Sequence, residues 1–80
     1  METMTLDGLR PGQRALVSSI PAGLGLRRRL AGMGLTEGTE VQSVISRGHG
    51  PLVVAVRQTR LALGRGVARH IVVELLEEPR

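Results

Sequence analysis

The sequence has no cysteine, no aromatic residue and no lysine among its 80 residues. The absence of cysteine excludes disulfides, thiolate metal sites and thiol nucleophiles together, and it suits a reducing compartment. The absence of Phe, Tyr and Trp removes the aromatic side chains on which proteins stack single-stranded bases. The core must therefore be built from aliphatic residues and methionine.

Long apolar runs are missing as well. The longest uninterrupted aliphatic stretch, residues 52–56, has five residues, whereas a membrane-spanning helix needs about 20. The first residues do not join a basic stretch to an apolar one, as a secretion signal does. We therefore expect a cytoplasmic protein that neither spans a membrane nor is secreted.

Recognisable catalytic motifs are absent too. The chain contains no Gly-x-Ser-x-Gly nucleophile elbow, no His-Glu-x-x-His zinc helix and no phosphate-binding loop that ends in Gly-Lys-Ser/Thr. Its length fits one small domain, predicted over residues 1–80 with a core over about 5–75 and a tail over 76–80. We predict that the protein is not an enzyme.

The charge of the chain is positive, at +4, and all eleven basic residues are arginine. A positive surface suits an acidic protein, an anionic membrane or a nucleic acid. The lack of lysine and of aromatic residues counts against nucleic acid. A small basic nucleic-acid-binding barrel is nevertheless kept as an alternative function.

Strand-like alternation recurs along the chain. Ala15 and Val17 alternate with polar neighbours in a segment whose further apolar residues suggest a bulged, strongly curved strand. Val41 and Ile45 are predicted to share one face of a second strand, and Gln58-Thr59 has the length of a two-residue hairpin turn. The predicted strands span residues 13–20, 39–46, 52–57, 60–63 and 70–75.

In one segment the spacing of the apolar residues changes from the period of two typical of a strand to the period of 3.6 typical of a helix. Within residues 24–34, Leu26, Leu30 and Met33 recur at helical spacing and predict one narrow apolar stripe, and Gly34 is a suitable left-handed stop. A further helical turn over residues 64–69 is doubtful, because its glycines cost about 1 kcal/mol each in a helix. Five short strands with one helix predict a small, mainly β, partly closed antiparallel barrel.

Several motifs follow one another along nearly the whole chain. They are Leu6 with Leu9-x-Pro11-Gly12, Arg28-Arg29-Leu30-x-x-Met33-Gly34-Leu35-x-x-Gly38-Thr39-x-Val41, Gly50-Pro51-Leu52-Val53-Val54, Leu61-Ala62-Leu63, Ala68 and Ile71-x-Val73. The most specific of them fixes a helix, its glycine stop and the entry to the next strand at set distances. In these motifs the chain resembles the FeoA family.

The resemblance implies a Src-homology-3-like five-stranded antiparallel barrel with one inserted α-helix. It also implies a non-enzymatic accessory role in bacterial ferrous iron uptake beside FeoB, the membrane permease that carries a G-protein domain. On this interpretation the protein docks on FeoB, through its cytosolic or its membrane domain, and is recruited to the inner face of the membrane. Related barrels also occur in iron-dependent repressors behind a DNA-binding domain, which is not found in this sequence.

The candidate partner-binding residues are Leu24, Arg27, Arg28 and Arg29. The three arginines are predicted to fan across the solvent side of the helix, and Leu24 lies outside the apolar stripe. They could dock onto an acidic surface of FeoB or onto anionic lipid head groups. The alternatives are an ordinary solvated helix face for the arginines and core packing for Leu24.

The candidate metal ligands are His49 and His70, the only two imidazoles. Iron or zinc could bind there weakly, but a complete site would need residues from other strands or from a second chain. Ordinary exposed histidines are the alternative, and no cofactor is required. A metal-linked homo-oligomer that pairs through open strand edges remains a further alternative function.

Overall fold

A computed structural model describes residues 2–76 of the chain, and a single antiparallel sheet organises them. Neither helix within this range has the length and apolar character that crossing a membrane requires. The elements in chain order are β1 (Thr3–Thr5), a 3₁₀ turn (Leu6–Gly8), β2 (Arg14–Ser19), α1 (Leu24–Gly32), β3 (Glu40–Ile45), β4 (Leu52–Val56), β5 (Thr59–Leu63), α2 (Arg65–Ala68) and β6 (Val72–Leu75).

The strand order in the sheet is β1-β6-β2-β3-β4-β5, and every neighbouring pair is antiparallel. The pairing register shifts between Val17 and Ser19 where β2 meets β6, and between Ser43 and Ile45 where β3 meets β4. Such bulges bend and twist a strand. The predicted bulge in β2 is therefore confirmed, and the two shifts help the sheet to curl around one core.

The hydrophobic core is built from aliphatic side chains, and Ser43 is buried as well. Its buried side chains come from every strand except β1, from both helices and from the connecting segments. The buried hydrophobic residues are Leu6, Leu9, Ala15, Val17, Ile20, Leu30, Leu35, Val41, Leu52, Val54, Val56, Leu63, Ala68, Ile71 and Val73.

The predicted fold class, mainly β and antiparallel with an inserted helix, is confirmed, but the sheet has six strands rather than five. The additional strand is β1, which pairs with β6 through three residues. A strand of three residues is too short to display a period of two, so the sequence pattern does not reveal it. Leu6 and Leu9, which follow β1, are both buried and attach this segment to the core.

Two predictions about β3 and the β4–β5 hairpin are wrong in detail. Ile45 does not share the buried face of Val41; it is 41% exposed, because the register shift before it turns its side chain outward. The hairpin turn consists of Arg57 and Gln58 rather than Gln58-Thr59, since Thr59 already pairs with Val56. Arg57 adopts φ 58° in this turn, a conformation that favours glycine.

The segment that joins β5 to β6 is more ordered than its glycines predict. Helix α2 forms a single turn over Arg65–Ala68, and Ala68 is fully buried. Strand β6 then begins at Val72 rather than at residue 70. At the other end of β6, the N–H of Leu76 donates to the carbonyl of Arg14 at 2.9 Å. The rest of the predicted tail, residues 77–80, lies outside the described residues.

Candidate functional site: the groove beside helix α1

Helix α1 presents two different faces. Residues spaced by three, four and seven positions share a face of a helix, and this spacing groups Leu24, Arg27, Arg28 and Ala31. Leu30 lies on the other face and is the only residue of α1 that is fully buried. The helix is therefore held to the barrel mainly by Leu30, and its opposite face is left to solvent.

The C-terminal end of α1 is fixed by a Schellman motif. The N–H of Leu35 donates to the carbonyl of Leu30 at 2.9 Å, and the N–H of Gly34 donates to the carbonyl of Ala31 at 3.0 Å. Gly34 has φ 90°, which confirms the predicted left-handed stop. Leu30 and Leu35 both belong to the buried core, as the motif's usual hydrophobic contact requires. This cap sets the orientation of the helix on the sheet.

A groove with a volume of about 470 Å³ runs between the solvent face of α1 and the segment that follows the helix. Its floor includes the buried residues Ile20 and Leu35. Leu24 lines it from α1 and is 60% exposed, the largest exposed fraction among the bulky hydrophobic residues of the described chain. The groove therefore combines an apolar floor with an apolar wall that is open to solvent.

Thr36 and Glu37, which also line the groove, belong to a tight turn over residues 36–39. The N–H of Thr39 donates to the carbonyl of Thr36 at 3.1 Å, and Gly38 adopts φ 88°, as the third residue of a type II turn does. The same turn is attached to β2, because the N–H of Gly38 donates to the carbonyl of Val17 at 2.7 Å. The side chain of Glu37 is thus carried on a firmly placed backbone.

The charges around the groove are mostly positive. Arg27 and Arg28 line it from α1 and are exposed, and Glu37 is the one carboxylate that lines it. Within residues 2–76, the only ion pair joins Arg14 to Glu40 at 3.2 Å, away from the groove. The two guanidinium groups are consequently available to carboxylates of a partner, beside a surface that can accept an apolar side chain.

The structure brings three of the four predicted partner-binding residues together. Leu24, Arg27 and Arg28 line the groove, whereas Arg29 lies on the other side of α1 and lines a small cleft of about 140 Å³ next to α2. Met33 also lines that cleft. It is 38% exposed and caps the helix, so the predicted apolar stripe does not bury it.

Sequence reasoning missed the remaining groove residues. Ala31 could have been found, because it follows Leu24 by seven positions on the same helix face. Ile20, Leu35, Thr36 and Glu37 could not, since they lie outside the helix: Ile20 directly follows β2, and the other three reach the groove through the Schellman motif and the following turn.

The two histidines are not brought into a metal site. His49 lies in the loop between β3 and β4, and His70 lies between α2 and β6; both side chains are exposed. No three His, Asp or Glu side chains lie close enough to hold a metal ion in the part of the chain that the structure describes. Iron or zinc binding by these residues stays a prediction.

Comparison with known proteins decides the family. The sequence model of the FeoA domain matches residues 4–75, nearly the full length of the sheet and both helices. The chain belongs to the FeoA family. A FeoA relative from Methanocaldococcus jannaschii, named "Putative Fe(2+) transport protein A", is 35% identical over 65 residues, which cover 81% of this chain and 78% of the relative.

Solved FeoA structures share the fold. The crystal structure of an iron uptake regulatory protein, FeoA, superposes with a TM-score of 0.90 at 33% identity. The superposition covers 94% of this chain and 100% of that FeoA chain. A FeoA protein from Chlorobium tepidum gives a TM-score of 0.83 at 32% identity, with 96% and 74% of the two chains covered. The predicted Src-homology-3-like FeoA fold is thereby confirmed.

The same fold also occurs inside a longer protein. A manganese-dependent transcriptional repressor superposes with a TM-score of 0.84 at 25% identity, over 92% of this chain but only 42% of the repressor. The FeoA domain therefore matches one part of that repressor.

Proposed function

We propose that this FeoA protein is a non-enzymatic accessory component of ferrous iron uptake that docks on the FeoB permease and modulates it. The M. jannaschii relative, named for Fe(2+) transport, supports the transport context, and so does the FeoA structure named for iron uptake. The groove beside α1 is the surface proposed for docking. The protein would act at the cytoplasmic face of the membrane.

The observation that carries this proposal is the exposure of Leu24 beside the apolar floor of the groove. Complete burial of a leucine is worth about 1.5–3 kcal/mol, so an exposed leucine leaves part of this free energy available to an interface. Ile20 and Leu35, which are both buried, also line the groove. A partner side chain seated in the groove would bury Leu24 against an already ordered floor.

Arg27 and Arg28 supply the polar part of the proposed contact. Arginine is enriched among the residues that dominate binding energies at protein interfaces, and its guanidinium can hold a carboxylate through two hydrogen bonds. The proposed partner surface therefore carries an apolar anchor flanked by Asp or Glu. No cofactor is needed for such a contact.

The experiment is a binding titration by calorimetry against two forms of FeoB, the purified cytosolic domain and the full-length permease in nanodiscs. The test variant carries Arg27→Glu with Arg28→Glu. The matched control carries Arg29→Glu with Arg47→Glu, two exposed arginines that lie outside the groove. Both variants change the net charge by the same amount, so only the location of the charges differs.

We expect the groove variant to bind FeoB at least about tenfold more weakly, a loss of about 1.4 kcal/mol, and the control to stay within about threefold of the unsubstituted protein. Equal losses in the two variants would overturn docking through the groove. Absence of binding to either form of FeoB would overturn the proposed function, and saturable binding to a single-stranded RNA in its place would favour the nucleic-acid alternative.

A further inference from the structure

We infer that β5 is a self-association edge, which pairs antiparallel with β5 of a second copy of this chain. β5 ends the sheet and pairs with β4 alone among the strands of the described chain. This inference concerns a different surface from the proposed docking groove, to which β5 contributes no residue.

The open hydrogen-bonding groups of β5 follow from its hairpin. In a two-residue hairpin the closing residues, here Val56 and Thr59, exchange main-chain hydrogen bonds. Hydrogen-bonded and non-hydrogen-bonded pairs then alternate along antiparallel strands. The main-chain groups of Leu61 and Leu63 consequently face β4, and those of Arg60 and Ala62 face the open edge.

One twofold register satisfies these open groups. If Leu61 lies opposite Leu61 of the second copy, Arg60 of each chain lies opposite Ala62 of the other. Both of these pairs are hydrogen-bonded pairs, so the contact forms four main-chain hydrogen bonds. The register that instead centres on Arg60 would place two like charges opposite each other, which is destabilising.

Helix α1 lies beside the C-terminal part of β5, where Leu26, Arg29 and Met33 share a cleft with Ala62 and Leu63, but the strand itself lacks several features that usually prevent such pairing. Proline, bulges, several charges or very short length protect the edge strands of natural sheets. β5 has five residues, contains no proline, pairs with β4 without a register shift and carries one charge, on Arg60.

The side chains around this edge also suit a second copy. Leu61 is half-buried and packs against the core. Leu61 of the second copy, which lies opposite on the same face, would therefore extend the apolar face of the sheet. On the other face, Ala62 is exposed and lines the small cleft that Met33 and Leu26 form with it.

The test is sedimentation equilibrium of the full chain between 10 µM and 1 mM, with two opposite substitutions at one exposed position. Ala62→Glu places a carboxylate opposite Arg60 of the second copy, twice per dimer. Ala62→Arg places a guanidinium there. Thr3→Glu and Thr3→Arg, which change an exposed residue on the other edge strand, β1, are the controls.

We expect the unsubstituted chain to dimerise reversibly, Ala62→Glu to dimerise about five- to tenfold more tightly, and Ala62→Arg about five- to tenfold more weakly. The difference should shrink in 1 M NaCl. A chain that stays monomeric at 1 mM overturns the inference. So do equal effects of the two substitutions, or control variants that shift the equilibrium as much.

Amide hydrogen exchange gives a second readout that needs no substitution. On raising the concentration, the N–H groups of Arg60 and Ala62 should become protected, while those of Leu61 and Leu63, already bonded to β4, should not change. Protection that spreads evenly over the hairpin would contradict edge pairing. Because both experiments measure self-association alone, their outcome is independent of whether the chain docks on FeoB.

Discussion

Leu24 and Leu30 are the same residue type on the same short helix, but their environments are opposite. Leu30 is fully buried and holds α1 to the barrel, whereas Leu24 is 60% exposed at the groove. The position on the helix, rather than hydrophobicity, decides which of them serves stability. The two leucines therefore separate a structural role from the proposed docking role.

We expect Leu30→Ala to lower the free energy of unfolding by about 2–5 kcal/mol, because it removes buried atoms and leaves a cavity. A domain of this size has a total stability of about 4–12 kcal/mol, so this variant should lie near the limit of folding. Leu24→Ala should change stability by less than about 0.5 kcal/mol while weakening FeoB binding.

The measurement is urea unfolding followed by far-ultraviolet circular dichroism, since the chain has no aromatic residue for fluorescence. A destabilisation by Leu24→Ala comparable to that of Leu30→Ala would show that Leu24 is part of the core.

Arg57 adopts a left-handed backbone conformation, with φ 58°, at the first position of the β4–β5 turn. A positive φ costs a side-chain-bearing residue about 1–2 kcal/mol, and glycine avoids this cost. We expect Arg57→Gly to raise the free energy of unfolding by about 0.5–1 kcal/mol. Arg60→Gly, which also removes one exposed arginine but lies within β5, should lower it by a similar amount. A loss of stability in both variants would contradict this account of the turn.

The end of helix α1 depends on the backbone geometry of its glycines. Gly32 is the last helical residue, and an added Cβ atom would meet open space; Gly34 has φ 90°. Gly32→Ala should therefore stabilise the protein by about 0.5–1 kcal/mol through helix propensity. Gly34→Ala should destabilise it by about 1–2 kcal/mol, since alanine resists a positive φ.

The two alanine variants of α1 make the same chemical change two positions apart, so their comparison by thermal or urea unfolding isolates backbone conformation. If Gly34→Ala were as stable as Gly32→Ala, the Schellman motif would not be what ends the helix. The groove variants should be prepared only after this result, because the cap also sets the position of the groove.

The features that the sequence predicts well are those that local chemistry determines. The stop at Gly34, the Pro-Gly turn before β2 and the bulge in β2 depend on residues adjacent in the chain, and all three are present. The outward turn of Ile45 depends instead on its pairing with β4, which no local pattern reveals.

The candidate site shows the same division. Helical spacing alone places Arg27 and Arg28 on the face of Leu24, and it also separates Arg29 from them, although the run of three arginines suggests one cluster. The floor of the groove comes from Ile20 and Leu35, which only the tertiary structure brings beneath the helix. The sequence therefore predicts the charged and exposed part of the site and misses the buried part.

The entire domain presents two distinct surfaces, the groove at α1 and the open edge at β5. If both proposals hold, a twofold dimer through β5 would carry two docking grooves. Two linked grooves bind a partner with two matching surfaces more tightly than one groove does, provided that both can be engaged together. Dimerisation would then tune the interaction with FeoB without any change in the groove itself.

The net charge of +4 makes the salt dependence of the proposed FeoB complex a test of how that complex is held together. Exposed charge pairs are screened as the Debye length falls from about 10 Å in 0.1 M salt to about 3 Å in 1 M salt, whereas apolar contacts persist. We expect the affinity of the unsubstituted protein to fall about five- to tenfold over this range and then to level off. Arg27→Gln with Arg28→Gln should remove most of that fall.

Leu24→Ala should instead weaken binding at every salt concentration and leave the dependence on salt unchanged, because it removes only the apolar part of the contact. Titrations of the three proteins against FeoB at 0.1, 0.3 and 1 M NaCl distinguish these contributions. If the logarithm of the affinity kept falling linearly with the logarithm of the salt concentration up to 1 M, as it does in binding to several phosphates, an apolar contribution to the contact would be contradicted. In that case the arginines alone would hold the partner, and an anionic surface would replace the acidic and apolar segment proposed for FeoB.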